Sequence, residues 1–286
     1  MNSSSQVKEN EKVAGLERPI LRWAGGKSWL VKHLSKFLPE TFNNYHEPFL
    51  GGGSIFFNLR PMNKAFLSDV NPDLMNAHSQ IRENPDEILH VLERFRNTKG
   101  DYYLVREMTF SSPTEKAAQF IFLNRTCFNG LYRVNRKGEF NVPYGFKSYQ
   151  MLFDPDRFVR LSQLLKQATL WCGDFEDSLD NVREGDLVFL DPPYIVSHIK
   201  NGFIKYNEKL FSWGDQERLV AFIEKIRRRG AYYILTNAKH KSIRALFGRE
   251  DQPITVYRNS VIGGHGAKRG SIEEFVFTNV NREEVL

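Results

Sequence analysis

The 286 residues include 40 Lys plus Arg against 34 Asp plus Glu, a formal net charge of +6, and are 41% hydrophobic and 13% aromatic. That is enough apolar chain for one large core, or for a core with a smaller inserted domain, and a mild bias toward a polyanionic partner. The two cysteines, Cys127 and Cys172, have no C-x-x-C or Cys/His clustering, so neither a disulfide framework nor a zinc site is indicated, and no run approaches the roughly 18 apolar residues of a membrane span. A soluble protein in a reduced, cytoplasmic setting is expected.

Residues 1–18 are polar and mixed in charge, and a disordered tail is expected there rather than a secretory signal. Apolar, β-prone segments then recur at 45–50, 65–67, 169–171, 187–190, 232–235 and 274–277, with helix-like segments such as 54–59 and 216–229 between them. Alternating strands and helices predict an α/β fold with a doubly wound, Rossmann-like sheet. Between about 74 and 154 the chain becomes polar and helix-rich, with helices over 85–96 and 114–124 and a hairpin-like stretch over 128–143. An inserted, mainly helical domain is expected over 74–154, and the remainder, 19–73 with 155–286, is expected to form the main sheet domain.

Near the start, Leu21-Arg22-Trp23-Ala24-Gly25-Gly26-Lys27-Ser28 ends as a phosphate loop ends. That loop requires a glycine five residues before Gly26, where this chain has Leu21, which speaks against a nucleoside triphosphatase. At Glu47-Pro48-Phe49-Leu50-Gly51-Gly52-Gly53-Ser54 a predicted strand runs into three glycines and a helix-prone segment, and such a turn admits close approach of a ligand to the backbone. Asp69 follows the next strand, Ala65-Phe66-Leu67-Ser68, where a carboxylate is placed to accept the ribose hydroxyls of an adenosyl cofactor. It also reads as a helix N-cap, because Asn71-Pro72-Asp73 looks like a helix start.

The most informative segment is Asp191-Pro192-Pro193-Tyr194, directly after the apolar run Leu187-Val188-Phe189-Leu190. Ligands of open α/β sheets bind at the carboxyl ends of strands. Two prolines fix φ and remove two backbone donors, holding the Asp191 side chain and nearby carbonyls in a rigid turn. An exocyclic aromatic amine has its lone pair delocalised into the ring. Acceptors from Asp191 and the Pro192 carbonyl would bond both of its N–H groups and localise the lone pair for attack on a methyl sulfonium, with Tyr194 stacked on the base. The plainer reading is a strand end closed by an Asp-Pro turn.

The order and spacing of Trp23–Lys27, Pro48–Gly53, Asp69 and Asp191–Tyr194 resemble the DNA adenine methyltransferase (Dam) family, the alpha group of N6-adenine methylases, over nearly the whole chain. The likeness continues through Asn124-Arg125-Thr126-Cys127-Phe128-Asn129-Gly130-Leu131-Tyr132-Arg133-Val134-Asn135 and Gly138-Glu139-Phe140-Asn141-Val142-Pro143-Tyr144-Gly145, which looks like that family's DNA-reading hairpin. The resemblance implies S-adenosylmethionine as cofactor, contacted by Trp23, Lys27, Asp69 and Asp191 and by the turn residues Phe49, Gly51 and Gly53. Gly173-Asp174-Phe175 looks like the segment around its adenine. No metal and no obligate protein partner are implied.

It further implies double-stranded DNA as substrate, GATC as target, and an adenine flipped out of the duplex, because the amine cannot reach a cofactor from inside the stack. The hairpin residues also have a reading of their own. Phe128 is an apolar wedge, Arg133 has the fork geometry for guanine N7 and O6, and Leu131 and Pro143 suit a thymine methyl, while the resemblance places Asn129 among the DNA contacts. The plainer reading makes Phe128 and Leu131 core residues of a hairpin, against which the segment's Arg125, Arg133, Arg136 and Lys137 speak. By resemblance Arg22 falls near the first guanine, at a position where the family often has lysine. Phe146-Lys147 stands where a basic-aromatic pair is common. The alternatives are N4-cytosine methylation and a DNA-binding relative without catalysis.

Overall fold

The computed structural model describes residues 16–135, 137–146, 152–194, 211–259 and 271–281. Its strands β1 (Tyr45–Glu47), β2 (Ala65–Asp69), β3 (Ala168–Cys172), β4 (Leu187–Leu190), β5 (Tyr232–Ala238), β6 (Ile254–Asn259) and β7 (Ser271–Thr278) form one sheet in the order β3-β2-β1-β4-β5-β7-β6. The first five are parallel, and β7 runs antiparallel to both β5 and β6. Strand order therefore reverses direction between β1 and β4, which makes their shared carboxyl end the topological switch point of a doubly wound sheet.

Every residue of β4 is buried, as a central parallel strand requires. Its period-two alternation divides the core. Leu187 and Phe189 join the cluster on one face, with Leu67 and Ile234, while Val188 and Leu190 join Phe222, Ile226 and Phe277 on the other. The second face is covered by α7 (Trp213–Arg228) and α8 (Lys241–Phe247). The first is covered by α1 (Ser54–Leu59) and by the helices between β2 and β3: α2 (Pro72–Glu83), α3 (Pro85–Leu92), α4 (Lys99–Glu107), α5 (Pro113–Thr126) and α6 (Pro155–Leu165).

Three of these helices start in the same way. Asn71, Ser112 and Asp154 accept backbone N–H groups as caps, each followed by a proline at the first helical position. α2 packs on β2 and β3 with one side and on α5 with another, and α6 returns the chain over α2 to β3. Over 127–144 the expected hairpin is held by two isolated antiparallel bridges, Cys127↔Tyr144 and Val134↔Phe140, rather than by a continuous ladder.

Strand β6 lies outside the six segments expected from the sequence. It is an edge strand with mostly half-buried side chains and so carries no continuous apolar run. The tail expected over 1–18 falls largely outside the described residues. At its end Glu17 is buried, its amide bonded to Asn58 Oδ1 at 2.9 Å and its carboxylate near Arg60 and Arg160. Neither cysteine is in a disulfide, and no helix among the described residues is long and apolar enough to cross a membrane.

Candidate functional site

Both motif turns emerge at the switch point, one after β1 and the other after β4. In the first, Gly51 has φ +50, and a Cβ there would lie 2.7 Å from the Trp23 ring, so a side chain is excluded on both counts. Its amide donates to Asp69 Oδ2 at 3.0 Å and its carbonyl accepts from His78 Nε2 at 2.8 Å. Burial pushes the His78 imidazole down to about 4, so the ring is neutral and Nε2 carries the donated proton. Gly53, also at positive φ, ends the turn with its amide on the Leu50 carbonyl and starts α1.

Asp69 Oδ1 accepts the Asn71 amide at 3.0 Å, whereas the cap of α2 is Asn71, whose side chain accepts from Leu74. Asp69 thus braces the glycine turn, and the cap role read from the sequence belongs to its neighbour. Burial raises its carboxyl, and the backbone donors of Gly51 and Asn71 oppose that shift.

The turn after β4 is held by side chains from three other elements. Lys27 Nζ lies 2.7 Å from Asp191 Oδ1 and 4.8 Å from the Tyr194 ring centroid, and donates to the Gly25 carbonyl at 2.6 Å. Thr236, on β5, donates to the same Oδ1 at 2.7 Å. Tyr194 Oη donates to Glu274 Oε2 on β7 at 2.7 Å, and Glu274 also pairs with Arg258 on β6. Burial raises the Asp191 carboxyl, Lys27 opposes that, and Glu274 adds to it; burial and the two carboxylates raise the Tyr194 phenol, which stays a donor.

Beneath the glycine turn, Glu47 Oε2 accepts from Tyr45 Oη at 2.8 Å and from the Phe56 amide at 3.2 Å. Burial lifts this carboxyl to about 8. Beside it, Phe49 stacks on Phe175 with ring centroids 5.4 Å apart, and Phe211 closes the cluster edge-on. Asp174 caps the helical turn that begins at Phe175, and Arg218 ties its carboxylate at 2.7 Å while lying 4.9 Å from the Phe175 ring centroid.

A second surface adjoins the first through Trp23, which stacks on Tyr132 at 5.6 Å. Asn124, fully buried, clamps Arg22 by accepting its amide and donating to its carbonyl, both at 2.8 Å. Gly130, φ +65, packs against the Arg22 side chain so closely that a Cβ would meet it at 2.6 Å. Arg22 is thereby brought to the Asn129-Gly130-Leu131 turn. Phe128 is 51% exposed rather than a core residue, and its amide bonds the carbonyl of the exposed Pro143 at 2.8 Å. Leu131 is half-buried. Asn129 and Phe146 hold positive φ without being glycine, a local strain concentrated in this segment. Arg133 is exposed, with Nε on Asn141 Oδ1 at 2.7 Å and Nη2 on the Asn141 carbonyl at 3.1 Å. Arg136 and Lys147 lie outside the described residues.

The structure adds Glu47, His78, Thr236, Arg218 and Glu274 to the residues read from the sequence. Two carried a signal there: a carboxylate in the apolar strand Ile272-Glu273-Glu274-Phe275-Val276-Phe277, and a polar pair, Thr236-Asn237, closing an apolar run. Among the described residues no group of His, Cys, Asp and Glu could hold a metal ion.

The model of the D12 class N6 adenine-specific DNA methyltransferases matches residues 23–258. A type II methyltransferase of Lactococcus lactis subsp. cremoris is 33% identical, over 92% of this chain and 95% of its own. One from Methanocaldococcus jannaschii is 37% identical, over 77% of this chain and 84% of its own. A DNA adenine methylase of Vibrio cholerae is 31% identical, over 91% and 95%.

Proposed function

The chain belongs to the D12 class of N6 adenine-specific DNA methyltransferases, and from that premise we propose that it methylates adenine within GATC in double-stranded DNA. The donor in this reading is S-adenosylmethionine, and the target base turns out of the duplex into the crevice between β1 and β4. The observation that carries the reading is the turn after β4. Lys27 and Thr236 both bond Oδ1 of Asp191, which fixes the carboxylate plane. Oδ2 and the Pro192 carbonyl then serve as the acceptor pair for the two hydrogens of an exocyclic amine.

The residues of the crevice suit an adenosyl sulfonium. The Asp69 carboxylate, held by the backbone amides of Gly51 and Asn71, is placed to accept a ribose hydroxyl, the Gly51 backbone has no side chain to block approach, and Phe49 with Phe175 offers ring surface for an adenine. Trp23, Lys27, Phe49, Gly51, Gly53, Asp69, Asp174, Phe175 and Asp191 are assigned to holding it. When bound, it supplies the electrophilic methyl group. Asp191 and Pro192 localise the amine lone pair, Tyr194 stacks on the base, and the Asp191 carboxylate takes the proton that the methylated amine sheds.

Residues 74–154 are assigned to target recognition, with 19–73 and 155–286 as the catalytic part. Arg22, Phe128, Asn129, Leu131, Arg133 and Pro143 meet DNA, with Phe128 filling the stack that the flipped base leaves. What supports this is the exposure of Phe128, Asn129, Arg133 and Pro143 on one segment, with Arg22 clamped to it.

The test is methyl transfer from labelled cofactor to duplexes carrying GATC, GAAC or GATT, with nucleoside analysis of the product. N6-methyladenine from GATC alone is expected. Equal labelling of all three duplexes overturns the target, and N4-methylcytosine overturns the assignment of the base. Binding of cofactor and DNA without transfer would mark a relative that has lost catalysis.

A further inference from the structure

Glu274 is the one acid in the innermost part of β7, 2% exposed, with Phe275, Val276 and Phe277 following it into the core. Burying a carboxylate at a strand position carries a desolvation cost that its partners must offset, and an apolar residue of similar size would serve the sheet better. Its neighbour Glu273 is partly exposed and pairs with Lys239 at the surface. The partners of Glu274 explain why a carboxylate is kept there.

One oxygen, Oε2, accepts from Tyr194 Oη at 2.7 Å and lies 3.9 Å from Lys27 Nζ; the other, Oε1, meets Arg258. Register places Glu274 opposite Ala238 at the carboxyl end of β5 and opposite Val256 on β6. The antiparallel strand therefore delivers this carboxylate to the same end of the sheet as the Asp191–Tyr194 turn. There it touches the aromatic residue of the turn at its hydroxyl, while Lys27 sits over the ring. A tyrosine anchored at both Cα and Oη has the long axis of its ring fixed, the Lys27 ammonium over its face biases rotation about that axis, and stacking on a base depends on where the ring is held.

We infer that Glu274 is a positioning residue for methyl transfer: through the Tyr194 hydroxyl it fixes where the ring lies against which the target adenine stacks, and Arg258 holds it there. The inference rests on the proposed stacking of Tyr194 on a flipped base. Glu274 touches neither reacting group, so its effect passes through Tyr194 and belongs to the chemical step rather than to binding.

The experiment is a double-mutant cycle of Glu274→Gln and Tyr194→Phe. It reads single-turnover methyl transfer, cofactor and duplex affinities, and fluorescence of duplexes carrying 2-aminopurine at the target adenine. Misplacing a reacting base by a fraction of an ångström is expected to slow transfer about 10- to 100-fold in Glu274→Gln, with both affinities within about twofold of wild type. In the Tyr194→Phe background the same change should cost less than about twofold, because the hydroxyl it acts through is already gone. The 2-aminopurine signal should rise on binding in every variant, with a different final intensity where the ring is released.

An undiminished effect in the Tyr194→Phe background, or full activity of Glu274→Gln, overturns the inference and leaves Glu274 as the counter-ion of Arg258. A wild-type enzyme that gives no rise in 2-aminopurine signal overturns base flipping instead, whatever the cycle shows. If Glu274→Gln does not fold, Arg258→Met tests the same link from its other end. Slowed transfer that vanishes in Tyr194→Phe is expected there too, and unchanged transfer overturns the role given to the Arg258–Glu274 pair.

Discussion

The Lys27 ammonium lies 2.7 Å from Asp191 Oδ1, a pair with side chains 3% and 16% exposed that joins the first loop of the chain to the turn after β4. Removing one partner of a buried pair leaves the other uncompensated and destabilises by about 3–5 kcal/mol. Lys27→Met should lower the denaturant midpoint accordingly. Lys27 also holds down a carboxyl that burial raises, so its loss should raise Asp191 further and move the acid limb of the pH–rate profile to higher pH. An unmoved limb would mean that Asp191 is not the group titrating there.

Asp69 accepts one amide from the glycine turn and one from the start of α2, so it is tied to the proposed ribose site and to the scaffold alike. Asp69→Asn keeps the size and one acceptor oxygen, and should weaken cofactor binding by about 10-fold or more with duplex affinity unchanged, since hydrogen bonds to a charged group contribute about 1.5–3 kcal/mol. Calorimetry showing unchanged cofactor affinity beside a lower melting temperature would leave Asp69 with the bracing role alone.

Glu47 predicts a pH dependence of stability. Its carboxyl ionises near 4.5 in the unfolded chain and holds its proton to about 8 in the folded one, so the folded state binds more protons between those values. The stability it contributes is present below about 4.5 and is lost as pH rises toward 8, by at most about 1.4 kcal/mol per pH unit. Glu47→Gln reproduces the neutral acid: one oxygen still accepts from Tyr45 and Phe56, and an amide stands where the proton was. Urea titrations at pH 5 and pH 8 should therefore show the variant gaining on wild type as pH rises. A constant difference would refute the raised value.

Arg133 is buttressed by Asn141 through Nε and Nη2, which steadies the guanidinium in the hairpin. A bidentate arginine–guanine contact discriminates by about 1–3 kcal/mol, whereas a phosphate contact weakens every sequence alike and lowers the salt slope by about one. Arg133→Ala should lose discrimination between GATC and single-base variants, and Asn141→Ala should do so to a smaller extent. Equal loss on all duplexes with a reduced salt slope would assign Arg133 to phosphate.

Much of this architecture is written locally. Leu187-Val188-Phe189-Leu190 has the bounds of β4 because a strand buried on both faces is a continuous apolar run, and residues 54–59 follow a glycine turn into α1. Strand β1 stops at Glu47, short of the apolar stretch through Leu50, because the chain is already turning at Pro48. The motif residues were legible because turns made of glycine and proline are local. Thr236 and Glu274 show in the sequence only as polar residues in apolar runs; their place at the site comes from strand order, and the antiparallel entry of β7 has no signature in the sequence. Phe128 shows the limit of composition: its sequence allows both a wedge and a core residue of the hairpin, and the fold places it in solvent.

Whether Asp191 orients the adenine amine is decided by single-turnover transfer of labelled methyl groups to a GATC duplex with wild type and Asp191→Ala, both saturated with cofactor and DNA. Groups that act on the reacting atoms contribute on the order of 100- to 1000-fold. Wild type should yield N6-methyladenine and Asp191→Ala should react at least about 100-fold more slowly, with duplex binding intact. Transfer by Asp191→Ala at more than about a third of the wild-type rate would contradict it.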